Sequence, residues 1–167
     1  MKRLTQTAVE KVQSVQNNID EMISTVRSLD EETIRWNPTE DEWSIMQIIV
    51  HVSEAIPFWL REIEGIKKDP DAKWGRGLSD EDRLYAVSEE NIQNTTVDKA
   101  ISDLEKIPSL VEESLAALTD EQLKIVAPCH NPNFEGKPVQ FIVDNLVVKH
   151  VEGHVGQIKR NLSKLDS

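Results

Sequence analysis

The sequence predicts an all-α fold, a four-helix bundle, on three observations. Four long stretches of its 167 residues carry apolar side chains at steps of three and four, the period of a helix with one buried face. Most of the helix breakers gather between those stretches, and no stretch carries a strand pattern strong enough to propose a sheet. At this length one core can bury most of the apolar surface, so residues 1–167 are expected to form a single domain.

Leu4, Ala8, Val12, Val15, Ile19, Met22, Val26 and Leu29 mark the first helix, from about Thr5 to Leu29. Residues 31–42 contain Asn37-Pro38 and form a connection, because proline disfavours helical geometry in the residue before it. Ser44 with Gln47 three residues on makes a capping box, and the run from Ile45 through Val52 to Trp59 opens a second helix ending near Lys67. Residues 69–95 hold Pro70, Gly75 and Gly77 and few apolar residues. They read as a long crossover between the second and third helices, with room for a short helix between Ser79 and Asn91.

Thr96 caps the third helix, whose stripe is Ala100, Leu104, Ile107, Val111, Leu115 and Leu118, with a kink expected at Pro108. From Thr119 to Lys137 the chain reads as loop. Pro138 starts the fourth helix, whose inward stripe reads Val139, Ile142, Val143, Leu146, His150, His154, Ile158 and Leu162.

Asp and Glu outnumber Lys and Arg by 30 to 19, a net charge of −11 that repels phosphate backbones and anionic lipid, so no nucleic-acid partner is expected. Cys129 is the only cysteine, which rules out an intrachain disulfide and all-cysteine zinc sites and suits a reducing cytoplasm. Met1-Lys2-Arg3-Leu4-Thr5-Gln6 leads into a polar amphipathic segment, and no run of about 18 apolar residues occurs; neither an export signal nor a membrane span is expected.

His150 and His154, four apart on one helix, aim two imidazoles the same way, and His51 takes an apolar position on the stripe of Ile48, Ala55 and Phe58 or Trp59. Each buried polar group without a partner costs about 1–3 kcal/mol, so three histidines on inward faces need a shared reason. A divalent cation supplies it. Three neutral imidazoles suit zinc, nickel, copper or iron and leave a position open for water or substrate.

Glu152 sits out of register with the His-Glu-x-x-His protease motif and turns away from the metal face. Glu54 and Gln47 lie within a turn of His51, where they either orient a ligand or serve the solvated face and the cap. Gly153 and Gly156 fit a close approach by a helix or ligand, or are tolerated defects. Cys129-His130 offers a thiolate or a fourth ligand if its loop folds over the bundle end, although adjacent residues chelate one ion poorly. Trp36, Trp43 and Trp59 read as packing residues, and Trp74 as a pocket rim or a surface anchor.

Trp43-Ser44, then His51, then His150-x-x-x-His154-x-Gly156-Gln157-Ile158 resembles the DinB/YfiT-like superfamily across nearly the whole chain. The resemblance implies an up-down-down-up bundle with a divalent metal, zinc or nickel foremost and manganese or iron next, on His51, His150 and His154. It implies a small-molecule substrate, with transfer of a low-molecular-weight thiol to an electrophile expected first. Hydrolysis of a small amide or ester comes second, and a non-catalytic binding module is the rival. A homodimer through an exposed apolar face is expected, as in many similar bundles.

Overall fold

A computed structural model describes residues 4–166; residues 1–3, part of the expected polar N-terminal lead, and Ser167 lie outside the described residues. Four long helical stretches pack around one hydrophobic core. The first helix, Gln6–Arg27, is N-capped by the Thr5 hydroxyl and buries Val15, Ile19, Met22, Ile23 and Val26. The second, Ile45–Lys68, has the expected capping box between Ser44 and Gln47. Its buried residues surround most of its circumference, as befits the central helix of the molecule. Pro57 lies inside it, a breaker the stripe analysis passed over.

The third helical stretch, N-capped by Thr96, is two segments, Val97–Glu105 and Ile107–Ala116, rather than one kinked helix. Pro108 occupies the first turn of the second segment, where its missing N–H costs nothing. The predicted stripe is buried from Ala100 to Leu115. The first helix packs on the second half of this stretch and on the fourth helix, and the second helix on its first half and on the fourth.

The connections hold more helix than expected. Glu31–Arg35 is a short helix capped by Asp30, residues 69–95 hold Glu81–Ala86 and Glu89–Asn94, and the predicted loop 119–137 holds Asp120–Leu123 and a 3-10 turn at Pro132–Phe134. Each α-helical turn begins at a Ser, Thr or Asp that accepts from the backbone three residues on, the local signal that competes with loop composition. The described residues contain no strand; one parallel bridge joins Trp74 and Cys129. Trp74 is 2% exposed, so it is neither rim nor surface anchor; its indole donates to the Ala127 carbonyl at 3.2 Å and stacks on Phe134. Among the described residues no helix is long and apolar enough to cross a membrane.

The fourth helix departs most from its expected register. Val139–Phe141 leads into a π-helical segment, Ile142–Val148, and then Lys149–Ser163. In the π segment the Lys149 N–H bonds the Asp144 carbonyl five residues back. Beyond Ile142 and Val143 the buried stripe therefore runs through Val147, Val151 and Val155, each one residue later than predicted, and on to Ile158. The predicted stripe stepped by four, to Leu146, His150 and His154. The wide turn shifts those three residues from the centre of the buried face to its flank, where all are half-buried.

Candidate metal centre

The second and fourth helices bring the three predicted histidines together. His51, at 3% exposure, meets His150 with Nε2 atoms 3.2 Å apart, and one ligand atom from each of His51, His150 and His154 lies within 4.8 Å of the others. Two nitrogens bound tetrahedrally to one zinc at about 2.05 Å stand about 3.3 Å apart, so the His51–His150 pair already has ligand spacing.

The proton positions fit a cation. His150 Nδ1 lies 3.1 Å from the Leu146 carbonyl, which can only accept, so this nitrogen carries the proton and Nε2 keeps its lone pair. His154 Nδ1 likewise faces the Gln157 Oε1 at 2.7 Å. Partners on the far nitrogen that fix tautomer and ring orientation are the usual support of metal-bound histidines. Burial drives the His51 pKa down to about 2 and that of His150 to about 4, and lowers that of His154; neighbouring imidazoles and the cations Arg83 and Arg76 add to the effect on His51 and His150. All three rings are thus neutral ligands near pH 7. His51 Nδ1 is buried with no hydrogen-bond partner, a cost that a bond from its other nitrogen to a cation would help offset.

The cluster separates two clefts. One, about 420 Å³, is polar and lined by Trp43, Arg83, Gln157, Arg160, Asn161 and Lys164 among others. The other, about 180 Å³, is walled by Ala55, Trp59, Phe134 and Leu146, with Arg76 and Arg83 at its side. Trp43 is therefore more than packing: its ring lies 5.0 Å from that of His51 and borders the polar cleft.

The other candidates stand outside the cluster. Glu54 grips Arg76 through both oxygens, one at 2.7 Å, and Arg76 lies over Phe58. Gln47 spends its side chain on Ser44, Asn37 and the Val87 carbonyl. Cys129 is buried against Gly75, whose positive φ of 87° would strain any other residue and where a Cβ would press on the sulfur at 3.1 Å, and burial raises its thiol pKa. His130 is exposed, as is Glu152. A Cβ on Gly153 would meet nothing within 4 Å, and one on Gly156 only the end of Arg160, so neither glycine serves a close backbone approach. Arg83 was missed: it lies in a crossover whose composition reads as loop, and only folding brings it beside the histidines.

The family model of the DinB superfamily matches residues 15–158. No curated protein matches the chain. Among solved structures, YfiT from Bacillus subtilis, described as a probable metal-dependent hydrolase with an unusual four-helix bundle topology, aligns with a TM-score of 0.80 over 99% of this chain and 92% of that one. At 11% identity the likeness is one of fold.

Proposed function

The chain belongs to the DinB superfamily, and on that premise we propose that it is an enzyme acting on a small molecule with a divalent cation, zinc or nickel, held by His51, His150 and His154. The observation that carries this reading is the meeting of three neutral imidazoles at the wall between two clefts, two of them oriented from behind. A divalent ion in such a site supplies Lewis acidity, polarising a carbonyl and bringing the pKa of water from 15.7 to about 7. The chain's residues do the rest. Leu146 and Gln157 hold the Nδ1 protons of His150 and His154, the polar cleft admits water, and the apolar cavity excludes it from one side of the substrate.

Hydrolysis of a small ester or amide is the preferred reaction, supported by the description of YfiT. Thiol transfer ranks second, and one assay separates the two. Untagged protein, loaded with zinc or nickel, is given p-nitrophenyl acetate with and without cysteine, and separately a thiol plus chlorodinitrobenzene. Thiol-independent release of nitrophenol that is lost in His150→Ala supports hydrolysis; turnover that requires the thiol replaces it with transfer. A purified protein that holds no metal, and whose melting temperature ignores added metal, would sink both in favour of a binding module.

The helix order belongs to the same reading. Arg35 donating to the Thr95 carbonyl at one end, with Lys67 donating to that of Ala117 at the other, supports a second and third helix running the same way across the connection 69–95. The pairs Lys11–Asp144 and Lys159–Glu21 support the same for the first and fourth, hence up-down-down-up. A single-domain cytoplasmic homodimer completes the proposal, and light scattering tests its stoichiometry.

A further inference from the structure

The three-histidine cluster contains no carboxylate, so a divalent cation there would keep its full charge, and the next charged group in the wall of both clefts is another cation, Arg83. Arg83 sits on the short helix Glu81–Ala86, with its backbone N–H held by Asp80 at 3.0 Å. Its guanidinium donates through Nη1 to the Leu78 carbonyl at 3.1 Å, and its carbon lies 5.7 Å from the centre of the Trp43 ring. Among the described residues it forms no ion pair, whereas nearby Arg76 is neutralised by Glu54 and Asp80. Burial lowers the pKa of Arg83, the mark of a cation partly stripped of water. Glu54 and Asp80 act on Arg83 only from a distance, since both are bonded to Arg76, so in a chain of net charge −11 a half-buried arginine that borders both clefts and has no carboxylate in contact is suited to an anion from outside.

We propose that Arg83 anchors the carboxylate of a small anionic substrate whose apolar remainder enters the cavity of Ala55, Trp59, Phe134 and Leu146. A planar guanidinium matches a carboxylate in two-point geometry, and the cavity takes a group about the size of one ring. The substrate class is then a carboxylate-bearing ester or amide with a compact apolar group. That assignment rests on the hydrolytic reading for its chemistry, but the anion site itself needs no metal.

The test therefore uses metal-free protein. Benzoate and its neutral counterpart benzamide are titrated by calorimetry and tryptophan fluorescence, Trp43 being next to the site. Benzoate should bind at least tenfold tighter than benzamide; Arg83→Gln should erase that preference and Arg83→Lys should keep part of it. Arg27→Gln, at an exposed arginine that lines neither cleft, should leave it intact. Circular dichroism melts check folding, and if the glutamine variant melts early the lysine variant decides, since it must still prefer benzoate. Equal binding of the two probes by the wild type, or an unchanged preference in Arg83→Gln, overturns the proposal. Failure to load metal or to hydrolyse esters would sink the hydrolytic reading while leaving this benzoate preference measurable, so the two failures are told apart.

Discussion

Gln157 does its work through His154, and removing its side-chain oxygen isolates that work. In Gln157→Leu the 2.7 Å bond to His154 Nδ1 is lost, the ring is free to turn, and its tautomer is no longer set. Loss of such a supporting partner costs 10- to 100-fold in metal affinity, or about 1.4–2.8 kcal/mol. The fold should lose less, because both side chains are only half-buried and water can reach the orphaned nitrogen. One hydrogen bond is worth about 0.5–1.5 kcal/mol, and at this size each kcal/mol moves the melting temperature by about 2–4 °C. The metal-free variant should thus melt within about 6 °C of the wild type. Zinc affinity is read by competition with a chromophoric chelator, with exposed His130→Ala as a control that should bind as the wild type does. A folded Gln157→Leu that binds zinc within twofold of the wild type would refute the assignment of His154 as a ligand oriented by Gln157.

Stability of the metal-free protein should depend on acid through the same rings. His51 at about 2 and His150 at about 4 lie below the unfolded value of 6.5, so the unfolded chain binds more protons between those limits. Stability is then full above pH 6.5 and falls as the pH drops toward 4, by up to about 1.4 kcal/mol per unit for each ring, and melts across that range should show it. Gly153→Ala, mid-helix with open space for a Cβ, should stabilise the protein by about 0.5–1 kcal/mol, seen as a higher urea midpoint at unchanged slope. Glu54→Ala strips Arg76, whose side chain is 6% exposed, of its two-point partner and leaves only Asp80. A loss of about 3 kcal/mol, or about 6–12 °C in melting temperature, is expected.

The bundle and the register of its first and third helices were legible in the chain because burial periodicity and capping are local. Thr5, Ser44 and Thr96 each announce a helix start within four residues, and the stripes of the first and third helices follow a fixed step. The short helices in the connections carried the same capping signal, but loop-forming composition hid it. Cys129 and His130 stayed open from sequence because nothing local says where a loop folds; the bridge to Trp74 carries the pair away from the histidines.

By itself the sequence determined the helical class, the caps and the choice of His51, His150 and His154, because spacing and residue chemistry alone select them. Only the tertiary structure decided how those rings face. A π turn at Ile142–Val148 puts Val147, Val151 and Val155 on the buried face in place of Leu146, His150 and His154, leaving His150 at the wall of both clefts and His154 at that of the polar one. It also decided that Arg83, from a remote connection, stands beside them. Hydrogen bonding within one turn is written in neighbouring residues, whereas the position of a wide turn and the charges around a cleft depend on packing between segments far apart in the chain.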